Sequence, residues 1–280
     1  TYMSQLMQAD AMKTAMEAHR RQMPRCMGSL IWQLNDCWPA ASWSGRDWYG
    51  NWKAQQYAVR RAFDDVIISF VEEQGQLNVY IVNDRMTPLK GKLFFNGINL
   101  DKNEVYDIDR GFISPKYFDP EKEDGSLTIP ANSSQMVMAK YVALDFFNPG
   151  KGKTEEVSLL AEALKYVDGR DELVVNAIFK DENGRVYENN DSMAKHKEMK
   201  YSVPKIRADI RFEAQGVDGS EGGCELTLTS DVFARGVYIV VDGAEDYFVS
   251  DNFFDLMPGE SKTVNITFVR PPGDLAGRVS

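Results

Sequence analysis

Apolar residues recur every three to four positions over residues 3–22, where Met3, Leu6, Met7, Met12, Ala15, Met16 and His19 fall together among strong helix formers. The spacing predicts a helix that Pro24 ends. Residues 27–34 form instead a short apolar run, which reads as a strand buried on both faces, as a parallel sheet would bury it. Periodicity then lapses over residues 35–50, rich in Trp, Pro, Ser and Gly. Asn51 is placed to cap a second helix whose Ala54, Tyr57, Ala58 and Ala62 share one face. Residues 1–63 thus read α-β-α, one and a half units of a parallel α/β fold. A lone parallel strand has no partners for its backbone groups, so the pattern predicts further strands elsewhere in a longer protein.

Beyond Phe63 the period shortens to two, with strand-like runs at residues 66–71, 76–82, 90–95, 135–144 and 172–179. Phe95-Asn96-Gly97 and Glu182-Asn183-Gly184 read as turns between them, and residues 157–166 as a helical interruption. A break falls at Val203-Pro204, after which residues 206–212, 224–228, 237–241 and 263–268 again alternate. Two immunoglobulin-like antiparallel β-sandwich domains are expected, over residues 64–203 and 204–280. The second, at about 75 residues, is short for a complete domain of about 100.

At 280 residues the chain exceeds one average domain. With 43% hydrophobic and 26% charged residues, and no apolar run approaching membrane-spanning length, it reads as neither disordered nor inserted in a membrane. The net charge of -10 argues against a nucleic-acid partner, since the densest basic cluster, residues 195–200, is broken by Glu198. Cys26, Cys37 and Cys224 lie too far apart for a paired motif and are expected to be small buried hydrophobes. His19 and His196 have no nucleophile motif beside them; neither a metal-ligand cluster nor a cofactor motif is found, and the expectation is of none. The start carries no basic-then-apolar leader pattern and leaves export open. Sequons at Asn132, Asn190 and Asn265 decide nothing.

All five tryptophans, Trp32, Trp38, Trp43, Trp48 and Trp52, fall at the end of the expected strand and in the loop after it. Sugar rings offer flat C–H faces that stack on aromatic rings, while their hydroxyls need fixed polar partners. Gln33, Asn35 and Asp36 are interleaved to supply them. Plain packing competes with that reading. Trp48 and Trp52, nearest the helix, are assigned to packing; Trp32, beside the polar cluster, is assigned to sugar contact, with core packing as its alternative.

The run Gly28-Ser29-Leu30-Ile31-Trp32-Gln33-Leu34-Asn35-Asp36-Cys37-Trp38-Pro39, followed by Ser42-Trp43 and Tyr49-Gly50-Asn51-Trp52-Lys53, resembles the last barrel strand of the β-mannosidases of glycoside hydrolase family 2. Tyr2-Met3-Ser4-Gln5 resembles the preceding family helix, and residues 248–254 a turn in the family's terminal domain. The resemblance implies that residues 1–63 complete a (β/α)8 TIM barrel, that two β-sandwich domains follow, and that the rest of the barrel and two N-terminal β domains lie outside this chain, as its intramolecular partners. It implies a parent that removes terminal β-linked mannose from oligosaccharides, with Trp32, Asn35 and Asp36 lining the glycone subsite and Trp38 and Trp43 shaping its rim.

Retaining glycosidases need two carboxyl groups about 5 to 5.5 Å apart. In this family both are glutamates on earlier strands, so by the resemblance no catalytic residue lies in the chain, and alone it is expected to be inactive. Asp64-Asp65 and Glu155-Glu156 read as solvated charges. The competing reading is a carbohydrate-binding or structural module without a hydrolytic parent, or a piece of a related exo-β-glucosaminidase. Residues 27–34 discriminate: an autonomous module would pair them antiparallel with strands nearby in sequence. The resemblance is compatible with a secretory, lysosomal or periplasmic compartment.

Overall fold

The structure is a computed structural model and describes residues 1–108, 126–138, 141–143, 155–213, 222–242 and 247–268. It divides into two compact units, one of Thr1–Lys13, Leu30–Arg60 and Tyr201–Ser280, the other of Thr14–Ser29 and Arg61–Lys200. Helix α1 (Tyr2–Arg21) contributes to both, and α2 (Ala54–Ala62) belongs mainly to the first.

The second unit is a β-sandwich. One sheet orders β1 (Val66–Glu73), β2 (Gln76–Asn83) and β6 (Ser133–Met138). The other sets β3 (Leu89–Asn99) between β4 (Glu104–Asp107) and β9 (Leu173–Asp181), with β10 (Val186–Ser192) beyond β9 and β5 (Leu127–Ile129) also on β3. Pairing is antiparallel throughout. Alternation delivers Val66, Ile68, Phe70, Leu77, Val79 and Ile81 from one sheet and Phe95, Val175, Ala177 and Phe179 from the other into one core. A short helix α3 (Leu159–Ala163), within the expected interruption, adds Leu159 and Leu160; Ser158 caps it, its hydroxyl accepting from the Ala161 amide. A separate pair, β7 (Tyr141–Ala143) with β8 (Glu155–Val157), completes the described strands of this unit. The end of the 135–144 run, and the side chains of Glu155 and Glu156, lie outside the described residues.

The outer face of the β1–β2 sheet is covered by the C-terminal half of α1, and the contact is polar. Glu17 accepts from Ser69 at 2.7 Å and from Asn189 at 3.2 Å, and Asn189 also donates to the Ile68 carbonyl. Asp64 and Asp65, expected as solvated charges, are paired with Arg185, and Asp65 also with Arg85.

Turns follow backbone demands. The β1–β2 hairpin turns on Gln74 and Gly75, both at positive φ, and β9–β10 on Glu182-Asn183-Gly184 with Gly184 at φ 81°. The other expected turn is wrong: Phe95-Asn96-Gly97 lies inside β3, paired residue for residue with β9. Gly97 marks a close approach rather than a bend. A Cβ there would meet the Tyr106 ring at 2.2 Å, and that ring stacks on Tyr166 while its hydroxyl donates to the Ala163 carbonyl.

The first unit holds a sheet ordered β11 (Ile206–Glu213), β12 (Gly223–Ser230), β16 (Ser261–Phe268), β14 (Tyr247–Val249), and a pair formed by β13 (Ala234–Val237) and β15 (Phe254–Leu256). Cys224, Leu226, Leu228, Val264, Ile266 and Phe268 build its core. The strand expected at 237–241 ends at Val237. Beyond it the Asn252 side chain accepts from the Ile239 amide at 2.8 Å and donates to the Ile239 carbonyl at 3.0 Å, standing in for a partner strand. In the same unit Leu6 and Ala9 of α1 meet Ala54, Tyr57 and Ala58 of α2 and Phe253, so one apolar face of α2 is buried as its spacing predicted. On α1, Met3 and Met7 remain exposed.

The α-β-α reading fails at its centre: residues 27–34 form no strand, and Met27, Leu30, Trp32 and Leu34 are exposed. A strand needs hydrogen-bonded neighbours along its length, and among the described residues only the Gln33 and Leu34 carbonyls at its end have backbone partners, Gly45 and Arg46. Asn51 does not cap α2. It pairs with Asp47, while the Ala54 amide that opens the helix donates to the Gln5 side chain. Of the cysteines only Cys224 is buried; Cys37 is exposed.

Phe179 is fully buried and Phe94, on the opposite face of the same sheet, is half exposed. Phe179→Ala should cost about 3–5 kcal/mol in denaturant unfolding, and Phe94→Ala less than about 1 kcal/mol. Equal losses would misplace the core. Gly97→Ala should cost about 1–3 kcal/mol by crowding Tyr106; a neutral outcome would refute the close approach.

Candidate functional site: the tryptophan loop

The segment after residue 32 is irregular in secondary structure but closely hydrogen-bonded to itself. The Gly45 and Arg46 amides donate to the Gln33 and Leu34 carbonyls at 3.0 and 2.9 Å, and the Asp36 amide donates to the Arg46 carbonyl at 3.0 Å. Two bridges, Asn35 with Arg46 and Arg46 with Trp52, give it a fixed register. The Lys53 amide donates to the Gly45 carbonyl, closing the loop onto the start of α2. At the tip, Gly50 at φ 95° turns the chain so that its carbonyl accepts from Arg46 Nε at 2.7 Å. A Cβ on Gly45 would fall 2.1 Å from the Gln56 side chain, so the backbone passes close to α2 here.

Polar groups line the inside of this loop. Lys53 Nζ donates to Asp36 Oδ2 at 2.9 Å and to Ser44 Oγ at 2.7 Å, and the Ser42 hydroxyl donates to Asp36 Oδ1. Asp36 and Ser44 are buried. The Ser42 hydroxyl and the Lys53 ammonium hold the Asp36 carboxyl below the usual carboxylate range, so it is ionised at neutral pH.

Aromatic rings line the outside. Trp32 is 77% exposed, Trp38 68% and Trp43 60%, with Leu30, Leu34 and Tyr49 exposed beside them in sequence. The backbone carbonyl of Trp43 accepts from the buried Gln55 side chain at 2.6 Å, which fixes the root of its ring. Trp52 turns inward, its ring centroid 5.2 Å from both Tyr57 and Phe248. Trp48, expected to pack with it, is 52% exposed.

The five singled-out positions therefore separate by environment. Trp32, Trp38 and Trp43 present rings to solvent. Asn35 is exposed, with its side-chain amide nitrogen donating to the Asp36 carbonyl. Asp36 sits beneath them with both oxygens engaged. Sequence reading did not single out Lys53, Ser42 or Ser44 for a role. No sequence signal pointed to them, because the need for a cation follows from the burial of Asp36, which only the structure shows. That several large apolar side chains are exposed within this one segment makes it a candidate for binding or packing.

Among the described residues, no group of His, Cys, Asp and Glu is placed to hold a metal ion, and no helix is long and apolar enough to cross a membrane.

Comparison with known proteins finds similarity to glycoside hydrolases along the chain. The mannosidase Ig-fold domain family matches residues 204–276. β-Mannosidase A of Aspergillus niger is 25% identical over 282 aligned residues, covering 98% of this chain and 27% of the relative. β-Mannosidase A of Aspergillus fumigatus is 35% identical over 107 residues, covering 36% of the chain and 12% of the relative. This chain thus spans about a quarter of the first relative's length. Among solved structures, the β-D-mannosidase of Dictyoglomus thermophilum superposes with a TM-score of 0.72 at 24% identity, over 100% of this chain and 29% of that one. The exo-chitosanase of Amycolatopsis orientalis gives a TM-score of 0.65 at 16% identity, over 99% and 33%. By sequence and by fold, this chain is related to the C-terminal portion of the β-mannosidases of glycoside hydrolase family 2.

Proposed function

We propose that this chain is the C-terminal part of a retaining exo-β-mannosidase, in which residues 1–63 complete a (β/α)8 barrel and residues 64–203 and 204–280 are β-sandwich domains that support it. The observation that carries the reading is the tryptophan loop: aromatic rings held outward on a self-bonded backbone, in a chain aligned with β-mannosidase A over 98% of its length. Residues 27–34 support it further. They have the composition of a central strand yet form none, and they are not paired antiparallel with a strand nearby in sequence as an autonomous module would require; only the Gln33 and Leu34 carbonyls are taken, by Gly45 and Arg46 of the loop.

In the intact protein those residues become the last barrel strand, and the loop at its C-terminal end faces the ligand, as strand-to-helix loops of such barrels do. Trp32 stacks on the terminal mannose, Asn35 hydrogen-bonds a hydroxyl, and Trp38 and Trp43 form the rim, with Asp36 at the base of the same subsite. Two glutamates on other barrel strands supply the acid/base and the nucleophile: one protonates the leaving oxygen, the other forms a glycosyl-enzyme intermediate that water then hydrolyses with net retention. Both groups belong to the intact protein, and the 280-residue chain alone is inactive.

A second reading, an exo-β-glucosaminidase, is favoured by the fold shared with the Amycolatopsis exo-chitosanase. Assay of the intact protein and of this chain on aryl β-mannoside, β-glucoside and β-glucosaminide separates the cases. Hydrolysis of the mannoside alone, by the intact protein alone, is expected. Turnover of the glucosaminide would favour the second reading, and turnover by the isolated chain would require a carboxylate pair within it. Trp32→Ala in the intact protein should lower kcat/KM by about 10²-fold, on the scale of lost substrate positioning; an unchanged value would remove Trp32 from the subsite.

A further inference from the structure

The polar hub of the tryptophan loop is engaged within itself and shielded from solvent. Lys53 carries three donors, and three acceptors surround it: Asp36 Oδ2 at 2.9 Å, Ser44 Oγ at 2.7 Å and Ser42 Oγ at 3.4 Å. Asp36 has one oxygen on Lys53 and the other on Ser42. The pair is shielded, with side-chain exposures of 13% for Lys53 and 4% for Asp36. Ser44, wholly buried, passes the network on to the backbone by donating to the Arg46 carbonyl at 2.9 Å, and its amide donates to Ser42 Oγ.

What these groups grip is the backbone that carries the rings. Trp43 lies between Ser42 and Ser44, so both of its neighbours are tied to one ammonium, and Trp38 follows Asp36 by two residues. The hub spans residues 36–53, which no secondary-structure ladder holds together beyond isolated bridges. Removing one partner would leave a buried charge unpaired and release the loop.

We infer that Asp36 and Lys53 are positioning residues, a buried ion pair that sets how Trp38 and Trp43 present their rings, without touching the sugar. The inference rests on the proposed function only for its effect on catalysis.

Its test begins with the 280-residue chain, whose tryptophans all lie between positions 32 and 52, so that tryptophan signals report on this loop alone. In Asp36→Asn and Lys53→Met, the tryptophan bands of the near-UV circular dichroism should be largely lost and acrylamide quenching should rise, with the far-UV spectrum unchanged. Lys53→Arg should restore part of the signal. Asp209→Asn, which removes an exposed pair with Arg207, should leave every signal as in the wild type. If Lys53→Met does not fold, Asp36→Asn decides, since its amide oxygen and the Ser44 hydroxyl still accept from the ammonium. In the intact protein, Asp36→Asn should reduce kcat/KM on aryl β-mannoside by about 10²-fold through misplaced rings. Wild-type tryptophan signals in Asp36→Asn would overturn the inference and leave the functional reading intact. Lost signals in a protein whose wild type hydrolyses no mannoside would sustain the inference and overturn the functional reading.

Discussion

A β-strand buried on both faces is held by hydrogen bonds from both sides, and that requirement governs the first sixty residues of this chain. Residues 27–34 have the composition of such a strand but, among the described residues, no strand beside them, and they remain outside any described sheet with Leu30 fully exposed. The consequence spreads outward. The flanking helices keep their own shape: α2 buries an apolar face against the first half of α1 and Phe253, and the second half of α1 is tied to Ser69 by a polar contact from Glu17. The loop between them keeps its internal bonds but leaves its aromatic surface uncovered.

How much of this was legible follows from where the energy of each element comes from. Elements that draw on local or periodic burial could be read directly: α1, the apolar face of α2, the alternation that fills both β cores, and the Glu182-Asn183-Gly184 turn, whose φ demand only such residues meet without strain. Elements decided by distant partners could not. Asn96-Gly97 has turn chemistry, yet it sits in β3 because the glycine admits the Tyr106 ring from the adjacent strand. The strand expected to reach residue 241 stops early because a single side chain, Asn252, takes over its hydrogen bonds.

The loop shows the same division. Its aromatic content, and the nearness of Gln33, Asn35 and Asp36 to those rings, are plain in the sequence. That Asp36 faces inward is not, since its partner Lys53 lies seventeen positions away and no periodicity links them. Side chains of similar chemistry at adjacent positions, Asn35 and Asp36, have opposite environments because the backbone at Asp36 is paired to Arg46 and directs its carboxylate into the loop.

This arrangement inverts the ordinary order of a folded segment. Rings that would normally form a core are outside, and the inside is filled by an ion pair and two hydroxyls. A surface that leaves its aromatic rings to solvent does not use them for its own packing, so the loop is held by its polar groups and backbone bonds instead. A buried ion pair is a poor source of net stability, because desolvation offsets much of the attraction. It is a good source of definition, because only one geometry satisfies both charges and their hydroxyl partners, and alternatives leave a charge unpaired. Strength is then left to the sandwich cores, and the loop needs only to be well placed.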